Sequence, residues 1–449
     1  MSVDFQNYFK NHKDEILNNI KELIAIPSVL VEQPEIKDAP FGFDNVKALE
    51  YMLELGRKNG FKTYNCDNVC GHIEYGEGEE VFACLCHTDV VPAIGNWTRP
   101  PFESYIKDGK IYGRGSIDDK GPAIISFYAL KALKDMNVKL NKKVRLIIGT
   151  DEESGSRCVK HYIEKVGMPD MGISPDAEFP IIYGEKGMIT LDVLYNGKSD
   201  LILNGGARYN IVAPNLEIKA LNNLDKYKNK IDQLKEAEIK DDIIYVKGVS
   251  AHAMEPENGK NAIVIFSKAV NNVTDNKLIK FIAQCLGDSR LKAMKLDYHS
   301  EEMNDMTMNV GLINTEVDEQ GNTKITLGLN IRYPKGFDYD TFIEEFNKQA
   351  NSYGLNVIVK SHSKPHYVDP NSEFIRKLHQ SYKKFTNDDT PLKTIGGGTY
   401  ARELKLAVAY GVLFPNEEEL AHQTDEYADI ENLLKAGEII LDAIYNICK

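Results

Sequence analysis

The sequence predicts an α/β protein: a first domain with a mostly parallel central sheet flanked by helices, and an inserted α+β domain. Three observations predict this. A continuous apolar run at 81–86 has the pattern of a strand buried on both faces of a sheet, and 144–149 reads as another buried strand. Helical periodicity alternates with them, as in strand–helix–strand units. After about Gly187 the texture changes to charged, Lys- and Asn-rich helices between short strand-like runs. At 449 residues the chain is also too long for one ordinary domain.

The elements follow in order. Residues 4–26 place Phe5, Phe9, Ile16, Ile20 and Leu23 at helical spacing, and Pro27 ends that helix. A second helix is expected over 43–59. The run Val-Phe-Ala-Cys-Leu-Cys at 81–86 is the first buried strand. Residues 95–115, rich in Pro, Gly and aromatics, read as a loop. A helix over 122–136 offers Ile124, Ile125, Tyr128 and Leu133 to the core. The second buried strand and a short helix over 159–166 follow. The inserted part has helices expected at 224–237, 277–284 and 342–353, and strands at 243–246, 324–331 and 356–359. The chain closes with a helix over 374–385 and an apolar strand over 407–414. The expected domains are 1–186 with 366–449, and 187–365 between them.

Composition narrows the function. A net charge of -13 argues against nucleic acid and anionic membranes as partners. Hydrophobic residues make up 42%, enough for a sizeable core, and no apolar stretch reaches membrane-spanning length. The polar segment 1–13 lacks a signal pattern, so a cytoplasmic location is expected. Seven scattered cysteines do not look like a disulfide framework. Cys84 and Cys86 read as small buried hydrophobes. Cys66 and Cys70 have a metal-site spacing, but no second pair completes them.

Several motifs carry chemistry. His87-Thr-Asp89 follows the first buried strand, where Asp89 can reach back to the imidazole and fix its tautomer. Gly113-Arg-Gly-Ser-Ile-Asp-Asp-Lys-Gly-Pro122 sets two acids at a helix start; helix capping explains them as well as function does. Asp151-Glu-Glu153 follows the second strand. Three adjacent acids there must be solvated or bind a cation, and one can hold metal while its neighbour takes a proton. Ser174-Pro-Asp176 and Ala421-His422 add a further acid and a late histidine. Alone, His422 reads as ordinary.

In this order, the motifs resemble the metallopeptidase family that includes carboxypeptidase G, aminoacylase and succinyl-diaminopimelate desuccinylase. The likeness runs over nearly the whole chain. Trp97-Thr-Arg-Pro-Pro-Phe102, the Asp118-Asp119-Lys120 segment and Gly396-Gly-Gly-Thr-Tyr-Ala-Arg402 point within it to the PepV type of dipeptidase. The resemblance implies two divalent metal ions. Asp118 would bridge them, His87 and Asp176 would complete one site, and Glu153 and His422 the other. It also implies a cis peptide between Asp118 and Asp119, Glu152 as general base and Asp89 orienting His87.

The inserted domain would then be a lid over a catalytic domain. Gly248-Val-Ser-Ala-His252, with Pro256, Gly259 and Asn261, resembles the family's lid motif. His252 would stabilise the oxyanion, with Asn210 a second lid contact. Arg332 would grip the substrate's terminal carboxylate, helped by backbone N–H groups at Gly397, Gly398 and Thr399. The expected function is a metal-dependent dipeptidase acting on small peptides with a free N-terminus. Alternatives are a deacylase of N-acyl amino acids and a catalytically inactive metal-binding protein. Zn²⁺ suits the ligands best, and Mn²⁺ or Co²⁺ also fit. The long lid implies a monomer.

Overall fold

The structure is a computed structural model that describes residues 5, 7–221 and 224–449. It divides into two compact units: residues 1–183, 368–393 and 398–449 form one, and 184–367 with 394–397 the other.

The first unit is built on a twisted sheet. Six of its nine strands run in the order Lys62–Cys66, Cys70–Tyr75, Lys143–Gly149, Val81–His87, Met171–Ser174 and Ala407–Ala409. The last four are mutually parallel, and the first two pair antiparallel at one side. The Val81–His87 strand explains its own unbroken apolar run. Phe82, Cys84 and Cys86 enter one buried cluster, and Ala83 and Leu85 enter another on the opposite face. A strand with two buried faces has no position for a polar side chain until it ends.

The helix Lys120–Asp135 lies in the larger cluster and is buried at every residue from Lys120 to Leu130. The final helix, Ile430–Cys448, and the helix Lys13–Ile24 pack on it. The latter buries Ile16, Leu17, Ile20, Leu23 and Ile24, one stripe at helical spacing.

Four local expectations differ from the structure. The predicted N-terminal helix breaks at His12 into Tyr8–Asn11 and Lys13–Ile24, and its proposed start at Asp4 lies outside the described residues. The 95–115 loop contains a hairpin, Tyr105–Lys107 with Lys110–Tyr112, joined by Tyr427–Asp429. The helix expected over 224–237 covers only Asp225–Ile231, and Ala237 opens a strand. The apolar run over 407–414 is two short strands, Ala407–Ala409 and Val412–Leu413. Gly411 between them has φ +76°, and an added Cβ would meet the Phe179 ring at 2.3 Å.

The second unit holds an eight-stranded antiparallel sheet. Its order is Ala237–Lys240, Ile243–Lys247, Asn215–Ala220, Leu201–Gly205, Thr307–Val317, Thr323–Tyr333, Gly187–Gly197 and Asn356–Ser363. One face is covered by the helices Ala262–Val270, Lys277–Cys285 and Tyr339–Ser352, which bury a separate core. Among the described residues, no helix is long and apolar enough to cross a membrane.

Candidate metal centre

Parallel strands deliver the site. His87 ends its strand directly opposite Gly149, and Thr88 N–H donates to the Gly149 carbonyl at 3.0 Å. The 150–156 turn therefore leaves the sheet beside His87, and Asp176 follows the neighbouring strand Met171–Ser174. This is the carboxyl edge of the parallel strands, where α/β sites form.

Asp118 lies at the centre. One carboxylate oxygen is 3.0 Å from His87 Nε2, and the other is 3.0 Å from His422 Nε2. His422 Nε2 is also 3.0 Å from Glu153 Oε1, and His87 Nε2 is 3.5 Å from Asp176 Oδ2. Two donor groups result, His87–Glu152–Asp176 and Asp118–Glu153–His422, each with its ligand atoms within 4.8 Å of one another. The Asp118–Asp119 peptide is cis. His422 has φ +67°, an uncommon conformation for a residue with a side chain, and its imidazole meets the two carboxylates from there.

The tautomer of His87 suits a cation. Its Nδ1 lies 2.9 Å from the Asp89 carbonyl oxygen and donates to it, so in the neutral imidazole Nε2 is the acceptor. That buried Nε2 makes no hydrogen bond although carboxylates surround it. A nitrogen lone pair facing carboxylate oxygens is a donor set for a divalent ion. Asp89 differs in detail from the expectation. Its carbonyl is the hydrogen-bonding group on His87, while a carboxylate oxygen stands at 3.3 Å. Its other carboxylate oxygen accepts the Glu153 N–H at 3.1 Å and so fastens the acidic turn.

The electrostatics agree. Burial raises the Glu152 carboxyl well above its usual range, and the charges of Asp176, Glu153 and Asp89 add to this. Burial, then the Asp118 charge, also raises Asp176 and Glu153. Burial opposes the charged forms of His422 and His87, but the surrounding carboxylates outweigh it and raise both. Such a cluster favours positive charge at its centre.

The three adjacent acids have separate tasks. Asp151 is fully buried and turned away from the site: it takes Arg157 N–H, Nε and Nη2, and the Ser154 hydroxyl. Only Glu152 and Glu153 join the donor groups. Asp119 does not cap the helix that follows it. Its carboxylate instead accepts the backbone N–H of His87 at 2.9 Å.

Sequence reasoning missed Glu426. This fully buried carboxylate takes Arg114 Nη1 at 2.6 Å and the N–H groups of Gly115, Ile117 and Asp118 at 3.0, 3.1 and 3.4 Å. It ties the segment carrying His422 to the loop carrying Asp118. Tyr400 was also missed. Its ring stands edge-on to His87 at 6.0 Å, and its hydroxyl meets Cys158 Sγ at 2.9 Å.

The remaining expected residues divide between the two units. Gly398 and Thr399 belong to the first unit, where Thr399 Oγ1 accepts the Ala401 N–H. His252, Asn210, Arg332 and Gly397 belong to the second. There the Asn210 carbonyl accepts the Ala253 N–H, and Ile211 forms a bridge with His252. Arg332 is buried; its Nε donates to Asn330 Oδ1 at 2.7 Å and its Nη1 to the Gly396 carbonyl at 3.0 Å. The glycine run thus presents a carbonyl to this guanidinium.

This fold and these donors define a metal-dependent hydrolase. Residues 83–446 match the model of peptidase family M20/M25/M40, and the chain belongs to that family of metallopeptidases. A Staphylococcus aureus (strain MW2) protein named "Putative dipeptidase MW1694" is 38% identical over 464 residues, covering 98% of each chain. Two solved structures share the fold. Human carnosine dipeptidase 1 aligns with TM-score 0.63 at 14% identity, over 98% of this chain and 97% of that one. The Bacillus subtilis YXEP protein, described as a dinuclear metal binding peptidase, aligns with TM-score 0.55 at 11% identity, over 98% and 99%.

Proposed function

We propose that this metallopeptidase is a dipeptidase that hydrolyses dipeptides with a free N-terminus. One observation carries the reading: the Asp118 carboxylate stands between His87 and His422, 3.0 Å from each, with an acid beside each histidine. His87 and Asp176 would hold one divalent ion, Glu153 and His422 the other, with Asp118 shared. When bound, such a pair supplies Lewis-acid activation of water and of the scissile carbonyl. The dipeptidase name of a relative similar over its full length supports the substrate class.

Glu152 is the proposed general base. It is not consumed by any partner in the way Asp151 is, and its raised affinity for a proton suits a group that takes one from the attacking water. It then delivers that proton to the leaving amine. Asp89 holds His87 in the tautomer that leaves Nε2 free. For the second unit, the motifs support His252 as donor to the oxyanion, Asn210 as its companion and Arg332 as the group gripping the substrate carboxylate. Gly397, Gly398 and Thr399 would contribute backbone N–H groups. Zn²⁺ fits the His/carboxylate set, with Mn²⁺ or Co²⁺ as substitutes. A cytoplasmic monomer completes the reading.

The test is chelation and add-back of Zn²⁺, Mn²⁺ or Co²⁺, with dipeptides assayed against N-acetyl amino acids. Metal-dependent cleavage of dipeptides is expected. Preferential cleavage of the N-acetyl compounds would replace the dipeptidase reading with a deacylase. Absence of both activities would leave a metal-binding protein. Sizing at micromolar concentration should give a monomer, and a stable dimer would overturn that part.

A further inference from the structure

The first unit contains a second kind of donor cluster. Cys66 Sγ, an Asp67 carboxylate oxygen and a His161 ring nitrogen lie within 4.8 Å of one another. Two elements supply them. Cys66 ends the strand Lys62–Cys66, Asp67 begins the turn to Cys70–Tyr75, and His161 stands on the helix Arg157–Val166. We infer that Cys66, Asp67 and His161 form a further metal site, for a soft divalent ion such as Zn²⁺.

The chemistry differs from that of the dinuclear centre. Thiolate, imidazole and carboxylate together select zinc-like ions, and tetrahedral zinc places such donors about 2.0–2.3 Å from the ion. Gathering atoms already within 4.8 Å requires a shift of about an ångström. The turn is held in place: Asn68 N–H and Asn65 Oδ1 pair at 2.8 Å, and the Asn65 and Asn68 amides bond at 2.9 Å. Cys66 is buried behind the cluster, while Asp67 is exposed and His161 partly so. The open side admits the ion and a water as fourth ligand. His161 Nε2 now bonds Asp67 Oδ2 at 2.7 Å, and Lys165 Nζ stands 3.4 Å from the same oxygen. The ion would displace both contacts and the thiol proton, so binding strengthens as pH rises. Bound there, it would clip the hairpin to the helix that follows the 151–156 turn.

Cobalt provides a specific readout. Of the donor groups among the described residues only this one contains sulfur, so a near-ultraviolet thiolate-to-cobalt charge-transfer band that depends on Cys66 distinguishes it from the dinuclear centre. Titrating the metal-stripped full chain with Co²⁺ should produce that band. Cys66→Ser should abolish it while peptide hydrolysis remains. His161→Gln, a substitution at a partly exposed helical position, should weaken cobalt binding at this site by at least ~100-fold, beyond the ~10–100-fold typical of outer-shell changes. Lys165→Gln should strengthen it. No band in the parent chain, or an undiminished band in Cys66→Ser, would overturn the inference and leave His161 and Asp67 as a surface ion pair.

Discussion

Glu426 and Arg114 form a fully buried ion pair, with Oε2 and Nη1 2.6 Å apart. The same carboxylate collects the N–H groups of Gly115, Ile117 and Asp118. Glu426→Ala would leave a buried guanidinium without its partner and release the loop that carries Asp118. We expect a stability loss of about 3–5 kcal/mol by denaturant titration, together with weaker metal retention on dialysis. Glu426→Gln keeps an acceptor for the backbone and should lose less of both. Equal metal retention in all three proteins would remove Glu426 from the positioning role.

Glu152→Gln removes the proposed base but not a proposed ligand. Its kcat should fall by about 10²–10⁴-fold, with full metal content by elemental analysis. Joint loss of metal and activity would make Glu152 a ligand, as its place in the donor group with His87 and Asp176 also permits.

His422→Ala removes one nitrogen from the Asp118–Glu153 group. One equivalent of metal should be lost, and the other kept by His87 and Asp176. Retention of the full complement would place the second ion elsewhere.

His252→Ala should lower kcat by about 10²-fold or more if this side chain donates to the developing oxyanion. An unchanged kcat would remove it from the mechanism.

His72 gives a pH prediction outside the site. It is buried, bonded to the Tyr162 hydroxyl at 2.7 Å, and burial, aided by Arg145, lowers it to about 4. Unfolded, the same group titrates near its ordinary value of 6.5. The unfolded chain therefore binds the extra proton first as pH falls. Neutral His72 contributes its full stability above pH 6.5 and loses it progressively towards pH 4, by up to about 3 kcal/mol. Denaturation series between pH 7 and 4.5 should show a shallower pH slope for His72→Gln than for the parent; parallel slopes would refute the assignment.

The sequence made the strand at 81–87 legible because burial on both faces leaves a continuous apolar run, and its neighbour at 143–149 legible although Arg145 interrupts its apolar residues. It made the donors legible because they follow those strands or sit in an ordered motif series. It could not show which of Asp151, Glu152 and Glu153 was structural. That depends on Arg157, which pulls Asp151 out of the site. Nor could it show that Asp119 serves His87 rather than its own helix. Glu426 was hidden for a related reason: its partners are mostly backbone N–H groups some three hundred positions away, and N–H groups leave no trace in residue type. The break at Gly411 was equally invisible, since it answers to the ring of Phe179.

The wide spacing of the donors along the chain has a consequence for synthesis. A ribosome delivers His87 early and His422 late, with the whole second unit made between them. A nascent product that ends before His422 lacks that nitrogen donor and the Glu426 carboxylate that ties its segment to the Asp118 loop. On the proposed role of His422, the second metal position can form only once nearly the whole chain has been made.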